Sequence, residues 1–326
     1  MKVLLAGASG ALGAPIARRL LEHGHEVLGL TRSENGSGRL IKLGVTPVIA
    51  DALDVEALLR ALEGYSADAV IHELTALRKP PLRHRGMSTT NTLRIQGTAN
   101  LLKAAEQLGA RRFLTQSIIL GYGYRDHGTN VLTEDTPFGV PDGGPCDPHV
   151  KAMRSTEQQA FTAPEGIALR YGALYGGDVQ MPALLAKRMV PVFTGGELGW
   201  IHHEDAAAAT VAALEHGRAG QAYNIVDDLP ATWQQVVTAM AAALGTPRPW
   251  RLPRWMLHLI APLIASAAAD TSMRVSNHKA RTELEWQPMF PTYREGIADM
   301  VAQLAATARR EPVKSNAHSG PHSRRE

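Results

Sequence analysis

Gly7, Gly10 and Gly13 recur at three-residue steps in Gly7-Ala8-Ser9-Gly10-Ala11-Leu12-Gly13. They follow a short β-rich run, Val3 to Ala6, and open a stretch, Ala11 to His23, whose aliphatic residues return every three or four positions. In a strand–turn–helix unit this spacing serves a diphosphate. Gly7 permits the tight turn, Gly10 lets the backbone approach the ligand, and Gly13 lets the helix pack closely on the strand. The free N–H groups of the first helical turn then face the phosphates, with Ser9, Ala11 and Leu12 in the same cradle. The second strand ends Leu30-Thr31-Arg32-Ser33, without the carboxylate that an NAD site offers to the ribose 2′-hydroxyl. Arg32, helped by Ser33 or Arg39, suits a 2′-phosphate through its planar fork, so NADP(H) is preferred and NAD(H) remains usable. A solvated surface arginine would look the same in sequence. Asp51, beside Ala52 at the end of the third strand, either accepts a hydrogen bond from the adenine amino group or caps the helix beginning near Val55.

Other reactive residue types are less specific. His202, His203, Glu204 and Asp205 are consecutive, and four neighbours cannot all point at one ion, so they predict a helix start and no metal site. The basic loop Leu77 to Arg85, with Arg78, Lys79, Arg83 and His84 around Pro80-Pro81, is either a clamp for an acidic group or a solvated connection. Trp250, Trp255, Met256, Leu259, Ile260, Leu263 and Ile264 would wall a large flat substrate, or simply pack a helix.

The elements that must hold these residues alternate. Runs at Val3–Ala6, Val27–Leu30, Val45–Ala50, Ala69–His72 and Phe113–Gln116 are separated by helical patterns such as Ala11–His23 and Thr92–Leu108, which predicts an α/β, doubly wound parallel sheet with right-handed crossovers. The strands Ile167–Tyr171 and Ala222–Val226 and the helix Glu204–Leu214 extend it. The expected division is a cofactor-binding domain over 1–166 plus 201–227, a strand return and smaller, mostly helical substrate lobe over 167–200 plus 228–306, and a disordered polar tail, 307–326.

At 326 residues with 44% apolar and 20% charged side chains, the chain can bury a large core. Its last eighteen residues hold five basic and two acidic side chains, which accounts for the whole formal charge of +3. The body is therefore near neutral, and a phosphate-tracking nucleic-acid surface is not expected. One cysteine, Cys146, excludes an internal disulfide, and the glycines interrupt any signal-like segment, so a cytoplasmic location is expected. The apolar stretch Leu257–Ala269 falls short of the roughly 20 residues a membrane span requires. Oligomeric state leaves no mark in the sequence.

Beyond Gly7–Gly13, the patterns Ile71-His72-Glu73-Leu74-Thr75, Gly97-Thr98 before Leu101-Leu102, Leu169-Arg170-Tyr171-Gly172 into Leu174-Tyr175-Gly176, Ile201-His202-His203-Glu204-Asp205 and Ala222-Tyr223-Asn224-Ile225 recur along the chain. Together they resemble the extended short-chain dehydrogenase/reductase family, that of nucleotide-sugar epimerases and dehydratases, over roughly residues 1 to 300. The resemblance implies a seven-stranded Rossmann sheet, a nicotinamide near Leu74, Thr75, Ser117 and Ala173, and a small-molecule substrate between the lobes. Ordinary members use a serine, a tyrosine and a lysine, the last two separated by three residues. Here the region reads Cys146-Asp147-Pro148-His149-Val150-Lys151-Ala152-Met153. Anchoring on Lys151 puts Asp147 at the tyrosine position. Anchoring on Glu157 puts His149 there and Met153 at the lysine. Ser117, or Ile118 one step on, occupies the serine position, and Arg94 replaces the family asparagine. The candidate catalytic residues are therefore Ser117 and His149. The expected activity is that of an atypical NADPH-dependent ketoreductase. Its substrate would be a bulky, aromatic polyketide (angucyclinone-type) ketone in antibiotic biosynthesis, protonated with help from the substrate. A nucleotide-sugar epimerase or dehydratase and a redox-inactive NADP-binding sensor are the rivals.

Overall fold

The computed structural model describes residues 1–77, 80–177 and 181–310. Seven parallel strands form its centre: β1 (Lys2–Ala6), β2 (Glu26–Thr31), β3 (Thr46–Ile49), β4 (Ala69–His72), β5 (Arg112–Ile118), β6 (Glu165–Tyr171) and β7 (Gln221–Ile225), in the order β3-β2-β1-β4-β5-β6-β7. Because alternate side chains leave a strand on opposite faces, Val3 and Leu5 pack with Ile16, Leu20 and the helix Ala206–Leu214 on one side. Leu4 and Ala6 pack with Leu58, Leu101 and Ala104 on the other. Strands buried on both faces explain the nearly unbroken apolar runs of the sequence.

The covering helices are α1 (Gly13–Glu22), α2 (Glu34–Lys42), α3 (Val55–Ala61), α4 (Ser88–Thr92), α5 (Thr98–Leu108), α6 (Asp147–Ala160) and α7 (His203–His216). The continuous helix expected over Thr92–Leu108 is instead interrupted: a π turn, Leu93–Gly97, joins α4 to α5. Aliphatic periodicity does not distinguish four from five residues per hydrogen-bonded loop over so short a stretch, and π turns often mark functional sites.

The return strand Ile167–Tyr171, expected to extend the sheet, lies in β6 and pairs along its length with β5 and β7. Residues outside the sheet gather in two further apolar clusters. One combines Ile119, Phe193, Leu252, Leu257 and Met273; the other combines Tyr175, Trp200, Val236, Met240 and Ile297. The last helix, Tyr293–Arg310, runs four residues beyond the expected start of a disordered tail, and 311–326 lie outside the described residues.

Candidate active site

The phosphate cradle is built by close packing. Gly7 has φ +99°, a region costly for any side chain, and a Cβ there would lie 2.9 Å from the Glu73 carbonyl oxygen. At Gly13 a Cβ would lie 2.8 Å from the Gly7 carbonyl carbon and 2.9 Å from Ala8 Cα. Gly10 donates its N–H to the Gly7 carbonyl at 2.8 Å and is exposed, as is Ala11, while Ser9 is half-buried and Leu12 is buried. No side chain caps the start of α1. Glycines that a methyl group would jam, below a helix end that no side chain caps, fit a dinucleotide diphosphate.

Around the adenosine end the residues divide their work. Ser33 caps α2, accepting from Gly36 N–H at 3.2 Å. The Arg32 side chain is 54% exposed, and its guanidinium reaches no nearer than 4.0 Å to Asp51. It is therefore available to a phosphate. Thr31 is buried, and Ala52 lends its carbonyl to Asn100 Nδ2 at 2.8 Å. The helix-capping alternative for Asp51 fails: Asp54 caps α3, while Asp51 accepts from Leu53 N–H at 3.0 Å within the preceding turn. A carboxylate two residues before an amide makes that turn by itself.

At the nicotinamide end, Leu74 and Ala173 are half-buried and Thr75 is exposed. The Ala173 N–H donates to Gly199 at 2.9 Å in the short pairing of Ala173–Tyr175 with Trp200–His202. Ser117 is fully buried near the end of β5, and its hydroxyl has no hydrogen-bond partner. The structure chooses between the two sequence registers on α6. Lys151 is exposed, whereas His149, Met153, Thr156 and Glu157 are buried. Thr156 Oγ1 meets Thr115 Oγ1 on β5 at 2.8 Å, and Glu157 holds Arg170 on β6 at 2.8 Å. The inner face of α6 thus presents His149 and Met153, as anchoring on Glu157 expects, and turns Lys151 outward. Asp147 stands outside, accepting from the Asp142 and Gly143 amides.

Ser117 lies two residues beyond Thr115, about 7 Å along the strand, and His149 lies seven before Thr156, about 10 Å along the antiparallel helix. Both displacements lead toward the carboxyl edge of the sheet, where ligands of such folds bind. His149 is nonetheless occupied: Asn91 Nδ2 stands 3.0 Å from its Nδ1, and His84 Nδ1 stands 3.3 Å from its Nε2. Burial first, then the His84 ring and the Arg94 guanidinium, push its pKa down to about 4, so it carries no readily donated second proton at neutral pH.

His72 and His202 are also brought to about 4, mainly by burial. Below the ordinary histidine value of about 6.5 the unfolded chain takes up protons that these three native rings refuse, so acid favours unfolding. Their contribution is complete above about pH 6.5 and is lost as pH falls toward 4. Melting temperature is expected to fall steeply across that interval. In a His149→Asn variant the fall should be shallower, as followed by calorimetry.

Beside Ile118 lies an apolar cavity of about 200 Å³, walled by Ile119, Leu120, Ala173, Trp200, Trp233 and Ile264 among others. Part of the aromatic segment singled out in the sequence therefore faces this space, through Ile264. Leu257 and Leu263 are core, and Trp255, Leu259 and Ile260 are exposed. The histidine–acid run separates as expected: His202 accepts from Glu204 N–H, Glu204 binds Arg18 and Arg19, and Asp205 accepts from the Met289 and Phe290 amides. Among the described residues no metal-binding group occurs, and no helix is long and apolar enough to cross a membrane. Arg78 and Lys79 of the basic loop lie outside the described residues; Arg83 is exposed and His84 is drawn in against His149.

Sequence reasoning passed over Tyr124, whose ring lies 6.3 Å from that of His149, and Asn91, which holds that histidine. A loop tyrosine and a helix asparagine carry no periodic signal.

Comparison with known proteins agrees with this fold. Residues 3–226 match the model of the NAD dependent epimerase/dehydratase family. A 3-diazoavenalumate denitrifying reductase of Streptomyces sp is 35% identical over 312 residues, covering 91% of this chain and 99% of that protein. A 2-alkyl-3-oxoalkanoate reductase of Stenotrophomonas maltophilia is 28% identical over 76% of this chain and 77% of its own. The UDP-glucose 4-epimerase of Thermus thermophilus, solved with NAD, superimposes with a TM-score of 0.75 at 23% identity, covering 94% of this chain and 99% of that one. The chain belongs to the NAD-dependent epimerase/dehydratase family and is an NAD(P)-dependent oxidoreductase.

Proposed function

We propose that this protein is a reductase of a bulky aromatic small molecule whose reduction needs a hydride but no proton from the enzyme. The observation that carries this reading is the inner face of α6, which presents His149 and Met153 and no tyrosine or lysine, while the neighbouring Lys151 is exposed. A reduced nicotinamide bound over the cradle supplies the hydride. Ser117, with its unpartnered buried hydroxyl, orients the acceptor, and the apolar cavity beside Ile118 takes an aromatic ring and excludes water.

An aryl diazonium meets these conditions. Hydride attaches to the ring carbon, the carbon–nitrogen bond breaks, and dinitrogen leaves with that bond's electron pair, so the balance closes without a proton. The 35% identical relative, named for removing nitrogen from a diazo-substituted carboxylate, supports this acceptor. The second reading is the ketone of an angucyclinone-type polyketide in antibiotic biosynthesis. There the alkoxide formed must be neutralised, and a phenol of the substrate beside the carbonyl would do so; the apolar cavity favours it equally.

Mixing the protein with NADPH and 4-carboxybenzenediazonium should oxidise one cofactor per dinitrogen released and yield benzoate. Oxidation with ortho-hydroxyaryl ketones alone would favour the second reading, and oxidation with neither would refute both. The exposed Arg32 supports NADPH over NADH. Arg32→Asp is expected to raise the NADPH dissociation constant by about tenfold, the cost of one charge-assisted contact at an exposed site, while leaving NADH little changed in calorimetric titration.

A further inference from the structure

Arg94 is 3% exposed and sits on the π turn between α4 and α5. Its Nε and Nη1 are buried without a hydrogen bond, and among the described residues no carboxylate pairs with it. A buried cation left in this state is strongly unfavourable, and proteins retain one where something supplies the missing negative charge. The neighbours do not. The groups that feel its charge are His72, His149 and Tyr124, two neutral imidazoles and a phenol whose pKa burial raises. By contrast, the buried Arg170 has Glu157 at 2.8 Å together with the Tyr122 hydroxyl at 2.9 Å.

The surroundings repeat the pattern. Asn91 Oδ1, one turn before Arg94, is buried and unpartnered, as is Ser117 Oγ, near the end of β5; His72, at the carboxyl end of β4, accepts from the Leu74 N–H through Nδ1 at 3.2 Å. Tyr124 makes no hydrogen bond among the described residues and is half-buried. The turn carrying Arg94 packs on α6 and its Leu93 backbone reaches His72, so these groups share the carboxyl edge of β4 and β5 on the side that α6 covers. Native proteins leave few buried polar atoms unsatisfied. Three residues with such atoms in one neighbourhood, one of them a full cation, form a buried polar cluster whose positive charge the protein itself does not balance.

We propose that Arg94 anchors a carboxylate of the substrate, with Ser117 as a flanking donor, so that the enzyme selects aromatic acids over their neutral esters. This rests on the reductase reading above and deepens it by naming the acceptor's second functional group. Arg94 is here a binding and specificity residue. The fork of a guanidinium matches the two oxygens of a carboxylate, and the anion would relieve the charge that the fold leaves unbalanced.

The test uses the full chain saturated with NADP⁺, with trans-cinnamate and methyl trans-cinnamate as probes, and reads both calorimetric affinity and melting temperature. Cinnamate should bind at least about tenfold more tightly than its ester and should raise the melting temperature of the wild type. Arg94→Met should bind both probes alike, lose the cinnamate-induced rise, and melt no lower than wild type without ligand, since an unbalanced charge has gone. Arg94→Lys should keep part of the preference. If acid and ester bind the wild type equally, if neither binds, or if Arg94→Met keeps the preference, the carboxylate anchor is wrong. NADP⁺ saturation is established first in the same titrations, so its failure would instead strike at the cofactor reading.

Discussion

Gly13→Ala is expected to lower affinity for NADPH by at least about 100-fold, equivalent to roughly 2.7 kcal/mol, and to lower the melting temperature with it. The methyl group has nowhere to go: its carbon would overlap the Gly7 carbonyl and approach Ala8 Cα to 2.9 Å, and both belong to the backbone of the cradle. Relief requires α1 to lift from β1, which moves the very N–H groups that must face the diphosphate. Gly10→Ala separates the two consequences. The nearest atom to its added carbon is the Gly7 carbonyl oxygen at 3.0 Å, and the residue is otherwise open to solvent. Its melting temperature should stay near that of the wild type while affinity falls, because the methyl stands between backbone and ligand. Calorimetric titration alongside thermal unfolding measures both; wild-type affinity in Gly13→Ala would contradict the cradle.

Breaking the Glu157–Arg170 pair is expected to have the largest effect on stability. The two side chains are 4% and 6% exposed, joined at 2.8 Å, and enclosed by the Tyr122 hydroxyl and the Phe138 ring, whose centre lies 3.8 Å from the guanidinium carbon. Removing either partner leaves a desolvated charge, so Arg170→Met or Glu157→Leu should each cost about 3–5 kcal/mol in urea unfolding. The double variant should recover much of that loss, since no charge is then stranded. Additive losses would mean that the pair does not act as a unit.

The sheet was legible because its signals are local. Apolar runs buried on both faces, separated by helical periodicity, predict parallel strands, and all seven strands in the sheet fall where β-rich runs occur. The glycine turn was legible because Gly10 and Gly13 answer contacts within the strand–turn–helix unit, although the atoms that crowd Gly7 belong to Glu73, just past β4. The α6 register was not. Lys151 and Met153 differ in face by two helical positions, and only the contacts of Thr156 with Thr115 and of Glu157 with Arg170, from other elements, fix which side is buried. Arg94 was visible merely as a replacement at one position. Its isolation from every carboxylate among the described residues is a property of packing, created when the π turn sets it between His72 and α6, and periodicity carries no trace of it.

The most direct measurement of how this enzyme reduces its substrate is the origin of the new hydrogen. With NADPH deuterated at the transferred C4 position and 4-carboxybenzenediazonium in ordinary water, the benzoate formed should carry deuterium at the carbon that lost nitrogen; with unlabelled NADPH in D₂O it should carry none. Deuterium arriving there from solvent would contradict hydride delivery and the function proposed for this site.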